Sequence, residues 1–309
     1  MKNKIICLMG PTASGKTDLA IRLVQDFSCD IISVDSAMVY RGMDIGTAKP
    51  SRAELARAPH RLIDICDPAE NYSAGQFCQE ALTEIQTILS QGRTPLLVGG
   101  TMLYFNLLQR GFSEFPGANA LIREQINQEA ETHGWPLLHA MLVKVDPVAA
   151  AHIHPNDGQR IQRALELYRA TGKTLSQWQQ EQQWHEHPFD ILNIIVAPSE
   201  RALVHARIEE RFDRMLKQGL VAEVEQLFQR GDLNAMMPSI RMVGYRQVWS
   251  YLSGEYDLAE MRLRAIYATR QFAKRQFTWL RQWHDAEKID SIDPDSYKKI
   301  SNIISNFLY

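Results

Sequence analysis

Apolar residues recur along this chain with two periods, and the order in which the periods alternate predicts an open α/β core. The run at 5–9 (IICLM) is bounded by Gly10-Pro11 and predicts a buried strand; Leu19, Ala20, Leu23, Val24 and Phe27 follow at helical spacing. Residues 31–34 predict a second short strand that ends at Asp35, and 95–98 predict another that runs into Gly99-Gly100. Between these two, Ser73 opens a helix with Phe77, Ala81, Ile85 and Ile88 on one face. Residues 43–50 have no period, and 59–68 carry a strand-like run at Leu62, Ile63 and Ile65. A late strand is expected at 191–196, followed by a helix that repeats arginine at Arg201, Arg207, Arg211 and Arg214. A long helix at 258–283 comes last. Strands separated by helices predict a parallel sheet with its ligand site at the carboxyl edge.

The pattern changes in the middle. Residues 114–187 show no strand; helical segments alternate there with Pro116, Pro136, Pro147 and Pro155. One amphipathic helix spans 157–171, with Ile161, Leu165 and Tyr168 on its apolar side and Arg160 and Arg163 elsewhere. The chain is therefore expected to divide into an α/β core of 1–113 plus 188–309 and an all-helical insertion of 114–187.

Chemistry enters at the first turn. Gly10, Pro11, Thr12, Ala13, Ser14, Gly15, Lys16 and Thr17 fit G-x-x-x-x-G-K-[ST] between a strand and a helix, the context that motif requires. Backbone N–H groups of such a loop point inward and the helix N-terminus adds partial positive charge, so the loop cradles a polyphosphate. Lys16 supplies a cation and Thr17 a hydroxyl for a metal ion. Asp35 is expected at the same sheet edge, where it serves either chemistry or a turn. Thr101 is an expected N-cap at that edge too. The arginine helix reads equally as a lid over polyphosphate or as a solvated face paired with Glu209 and Glu210.

Composition narrows the setting. The 309 residues are 45% hydrophobic and 23% charged, enough for a sizeable core, and no stretch reaches the roughly 18 apolar residues of a membrane helix. The N-terminal apolar run is too short for a signal peptide, so a cytoplasmic protein is expected. Cys7, Cys29, Cys66 and Cys78 show no metal spacing and read as buried apolar residues. The pairs His152/His154 and His185/His187 lack accompanying ligands. Net charge is −2, yet Arg262, Arg264, Arg270, Lys274, Arg275 and Arg281 fall in one stretch without an acid. That helix interleaves them with Tyr267, Phe272, Phe277, Trp279 and Trp283. Arg270, Lys274 and Arg281 are expected on one face around Phe277, with the other aromatics in the core, an arrangement that suits an RNA backbone and unstacked bases. Arg241, Gly244, Tyr245 and Arg246 form a second acid-free group.

Taken in order, GPTASGKT (10–17), DSAMVY (35–40) with GMDIGTAKP behind it, LLVGGTMLY (96–104), HPND (154–157), IRMVGYR (240–246) and KRQFTWLR (274–281) resemble the bacterial tRNA dimethylallyltransferases over nearly the whole chain. That resemblance implies a phosphate-loop, nucleoside-kinase-like parallel-sheet core with a helical insertion, and tRNA bound across both. It implies transfer of a dimethylallyl group from dimethylallyl diphosphate to N6 of the adenine 3′ of the anticodon. The loop then holds the diphosphate with Mg2+, liganded at Thr17, in place of ATP hydrolysis. By position Asp35 matches the general base, with Thr101, Lys16 and Arg211 completing the catalytic set. Asp35, Ser36, Ala37, Met38, Thr101, Arg123, Gln159, Arg160, Ile161, Gln162 and Arg163 match tRNA contacts. So do Arg241, Met242, Val243, Gly244, Tyr245, Arg246, Lys274, Arg275, Gln276, Phe277, Thr278, Trp279, Leu280 and Arg281. The partners implied are the tRNA anticodon stem-loop and dimethylallyl diphosphate, with no membrane, and a monomer is expected. A small-molecule kinase and an RNA-binding NTPase are the rival readings; the first predicts ATP turnover without RNA, the second an Asp-Glu end to a late strand.

Overall fold

The computed structural model describes residues 2–110, 116–181 and 188–309. The chain divides into two compact units, 1–110 with 187–309 and 111–186. In the first unit β1 (Asn3–Met9), α1 (Lys16–Asp26) and β2 (Cys29–Val34) are followed by α2 (Arg52–Arg57), β3 (His60–Arg61), α3 (Ala74–Ser90), β4 (Thr94–Gly99) and α4 (Met102–Arg110). The second unit holds α5 (Ala120–His133), α6 (Trp135–Val145), α7 (Pro147–Ala150), α8 (Gly158–Thr171) and α9 (Leu175–Glu181). The first unit then resumes with β5 (Phe189–Ala197), α10 (Arg201–Lys217), α11 (Leu220–Gln229), α12 (Tyr245–Leu252), α13 (Leu258–Leu280), β6 (Glu287–Asp290) and α14 (Ser296–Leu308).

All six strands are parallel, in the order β3-β2-β4-β1-β5-β6. Connections out of β1 and β4 leave in opposite directions, toward β2 and β5, so their carboxyl ends flank a switch point where open α/β sheets bind ligands. β1 is buried on both faces, as its uninterrupted apolar run requires, and each such side chain contributes ~1.5–3 kcal/mol. On one side Ile6, Leu8, Ile31, Leu96 and Ile194 pack with Leu23 of α1 and Ile300 of α14. A second core joins Phe212 of α10, Val224 of α11, Val248 of α12 and Ala265 of α13. The helical unit has its own core around Ile126, Leu138, Leu142, Ile161 and Leu165. Among the described residues no helix is long and apolar enough to cross a membrane.

Three expectations are corrected here. The strand-like run at 59–68 pairs with β2 only through His60 and Arg61. Beyond them the chain turns through left-handed backbone at Leu62 (φ 61°) and Asp64 (φ 55°). Lys49 enforces that turn: its nearly buried ammonium binds Tyr40 O, Asp44 and Asp64 at once. Tyr168 is exposed, not part of the apolar side of α8. The aromatics of α13 divide differently from expectation too. Tyr267 and Phe272 are exposed, and Phe277 is the one packed against the core. One helix was missed: α2 is opened by a Ser51/Glu54 capping box, an S-x-x-E signal present in the sequence. The four cysteines are free and buried. His185 and His187 lie outside the described residues.

Candidate active site

The site starts from backbone geometry. Gly10 follows β1 so closely that a Cβ there would stand 2.2 Å from Val196 O, and only glycine fits. The loop then closes through Gly15, left-handed at φ 85°, into α1, whose N-terminus no side chain caps. Those first N–H groups are orphans within the helix, and with the helix dipole they form an anion cradle. Lys16 folds back over the loop, its Nζ donating to Pro11 O at 2.7 Å and to Ser14 Oγ at 3.2 Å. Burial pushes its ammonium down to about 7 and the Arg211 guanidinium adds to the fall, while Asp35 opposes it. Arg211 is lowered chiefly by burial, with Asp35 again opposing. Among the described residues Arg211 forms no ion pair. Two cations thus meet around the cradle with one carboxylate between their influences.

Asp35 stands just past β2. Its Oδ1 accepts from Ala37 N–H at 2.8 Å and Met38 N–H at 3.4 Å, so one oxygen holds the turn. The turn expected for this residue is thus present, made through one of its two carboxylate oxygens. Thr101, next to β4, accepts from Ser36 N–H through its hydroxyl at 3.0 Å and ties the two strand ends together. Asp35, Thr101, the loop from Thr12 to Thr17 and Arg211 all line one cavity of about 1120 Å³. Its remaining walls come from 44–52 and from Arg241, Met242, Val243, Gly244, Phe272, Arg275 and Gln276.

The expected RNA-contacting residues separate by burial. Lys274, Arg275 and Thr278 of α13 and Arg281 at its C-cap are exposed, as are Arg241, Arg246, Gln159 and Arg160. Trp279 is half-buried. The side chains of Ile161, Tyr245, Gln276 and Leu280 are buried. Half of the cations in the acid-free stripe are also paired, two of them by acids on α10 and one by an acid earlier in α13. Arg262 pairs with Asp213 and Glu209, Arg270 with Glu209, and Arg264 with Glu260. Sequence distance hid the first two partners; the last sits just before the stripe. Arg214 and Arg211 both line the cavity, but Arg214 also pairs with Glu210 at the surface.

Two polar residues, Glu223 and Glu166, have no place in the sequence reading, and a third, Gln276, stands there only as a match to a tRNA contact. Glu223 on α11 accepts from the N–H groups of Asp44, Ile45 and Gly46 and from Tyr245 Oη at 2.6 Å, fixing a cavity wall. In the helical unit buried Glu166 holds both Arg123 (2.9 Å) and Arg163 (2.8 Å), leaving one net positive charge at a half-exposed site. Burial pushes the Glu166 carboxyl up, but hydrogen bonds from both arginines and from Asn119 N–H outweigh it and leave the carboxyl below its usual range. Gln276 joins α13 to the phosphate loop. No local signal marks any of the three, because each partner is distant in the chain.

A depressed Lys16 has a measurable consequence. In the ligand-free protein this amine is mostly neutral above about 7, and an anion in the cradle favours its charged form, so binding takes up a proton at pH 8. Calorimetry of inorganic diphosphate in buffers of different ionisation enthalpy should show roughly one more proton taken up by the unmutated protein than by Lys16→Met. Equal uptake by both proteins would return Lys16 to an ordinary surface amine.

A phosphate loop after the first strand of a parallel sheet, opening on a cavity ringed by cations, defines a protein of the phosphate-loop α/β class. The family model for IPP transferase matches residues 38–283. The tRNA dimethylallyltransferase of Coxiella burnetii is 58% identical over 296 residues, 96% of this chain and 95% of that one. Among solved structures, the tRNA isopentenylpyrophosphate transferase of Bacillus halodurans is 36% identical at TM-score 0.73, covering 99% of this chain and 97% of its own. A eukaryotic dimethylallyltransferase acting on tRNA is 29% identical at TM-score 0.84, covering 98% of this chain and 79% of its own. The chain belongs to the IPP transferase family and is a prenyltransferase enzyme.

Proposed function

We propose that this enzyme transfers the dimethylallyl group from dimethylallyl diphosphate to N6 of the adenine immediately 3′ of the anticodon in tRNA, in the cytoplasm and as a monomer. The observation that carries the reading is the convergence of Lys16, Arg211 and Asp35 on one cavity beside an uncapped helix N-terminus. The loop N–H groups, Lys16 and Arg211 bind the diphosphate and take up the charge that develops as it leaves. The exocyclic amine of adenine is a poor nucleophile because its lone pair is delocalised into the ring. Asp35 accepts its proton as the N–C bond forms, through the carboxylate oxygen that is not holding the turn. Thr101 keeps the Asp35–Met38 turn in place through Ser36.

The target base reaches the cavity only after leaving its stack, and the exposed cations Arg241, Arg246, Lys274, Arg275 and Arg281 bind the RNA backbone around it. Arg123, Gln159, Arg160, Gln162 and Arg163 are the corresponding groups of the helical unit. Mg2+ fits this donor set. Among the described residues no three His, Cys, Asp or Glu side chains cluster, but the ion commonly takes one or two protein oxygens plus substrate phosphates, and Thr17 lines the cavity as such a donor. When bound it neutralises diphosphate charge.

The test supplies the purified protein and tRNA with either dimethylallyl diphosphate labelled in its allylic carbons or ATP labelled in its γ-phosphate. Label is expected in tRNA from the allylic substrate alone. Label entering tRNA only from ATP would overturn the reading.

A further inference from the structure

Gln276 sits on the buried face of α13, in line with Ala273 and Leu280, where the pattern of the helix calls for an apolar side chain. Both halves of its amide are used. Nε2 donates to Gly100 O at 2.8 Å, and Oε1 accepts from Thr12 N–H at 2.9 Å. The fit is tight, since a Cβ on Gly100 would lie 2.5 Å from that nitrogen. One side chain therefore bonds the phosphate loop and the residue after β4 together. From Gly100 the connection continues through Thr101 to Ser36 N–H, and so to the turn that Asp35 holds. On the opposite side of the same helical turns lie Lys274 and Thr278, both exposed. A rigid helix with RNA on one face and bonds to the cradle on the other transmits a small shift as a change in loop geometry.

We infer that Gln276 is a positioning residue that couples RNA bound on the outer face of α13 to the diphosphate cradle, so that the two substrates bind with positive cooperativity. The inference rests on the function proposed above, because it takes α13 to be the RNA-facing helix. Thr12 N–H is engaged by Gln276, which leaves the other N–H groups of the loop and of α1 for the anion. RNA that favours the bonded position of α13 favours the loop conformation that binds diphosphate. Linkage requires diphosphate to tighten RNA binding by the same factor.

The experiment titrates inorganic diphosphate into the protein with and without a saturating anticodon stem-loop. In the unmutated protein RNA should tighten diphosphate binding by at least about fivefold, the lower end of ordinary coupling between sites. Gln276→Met fills the same volume without either hydrogen bond; there the ratio should fall below about two. Because that variant leaves Gly100 O and Thr12 N–H without their partner, hydrogen exchange on the unmutated protein supplies a readout free of mutation. RNA alone should slow exchange in the segment 10–15. A ratio that survives Gln276→Met, or RNA that leaves exchange in 10–15 unchanged, overturns the coupling while leaving the transferase reading intact. A protein that binds neither diphosphate nor RNA overturns both.

Discussion

Asp35→Asn is expected to lower turnover by on the order of 10² to 10⁴, the usual contribution of a positioned general base. The substitution is chosen because the Asn carbonyl occupies the place of Oδ1 and keeps the bonds from Ala37 N–H and Met38 N–H, so the turn survives. Only the capacity to take a proton is lost. Asp35 also opposes the fall in Lys16 and Arg211, so removing its charge leaves the cradle more positive, and diphosphate should bind as well as before or better. Single-turnover transfer from a preformed complex separates the two effects. Turnover within about threefold of the unmutated protein would exclude proton transfer by Asp35 and return it to a turn-forming residue.

Arg211→Ala should cost on the order of 10² to 10³ in the rate of transfer, the range measured when one donor to a developing anion is removed. Its neighbours Ile208, Phe212 and Met215 are buried in the core, so α10 holds the guanidinium in place without a partner carboxylate. Arg211→Lys should recover little of the rate, since a compact ammonium in a desolvated site is readily neutralised and lacks the planar fork. A second readout follows from the charge between neighbours. Arg211 helps to depress Lys16, so the alanine variant should hold Lys16 protonated to higher pH and take up less of a proton when diphosphate binds at pH 8. A rate near normal, with unaltered proton uptake, would assign Arg211 to packing.

The α/β core was legible because its strands are short apolar runs that end in Gly or Asp, and α3 because Ser73 and Gln76 form a capping box ahead of a regular apolar face. The cradle was legible for a stronger reason, since backbone chemistry dictates its residues. What failed was edge structure. Leu62 and Ile65 look like a strand, but Lys49 and Asp64 bend the chain there, and no periodic signal reports a hydrogen bond between residues 49 and 64. Charge patterning failed in the same way, because the acids that neutralise Arg262 and Arg270 lie on α10. Gln276 was read as a surface contact within a basic stripe; its burial depends on Gly100 and Thr12, which approach only after the sheet has closed. The roles of individual residues came from family resemblance far more than from periodicity.

The register of β1 bears on how the protein is made. Asn3 pairs with Phe189 and Met9 with Ile195, so this strand waits for β5 while the whole helical unit is synthesised. During that interval the apolar run Ile5 to Met9 leaves the ribosome with one edge unpaired, a template for contact with other nascent chains. A strand translated well ahead of its partner is thus among the last to be paired on both edges, and its exposure lasts as long as the synthesis of everything between β1 and β5.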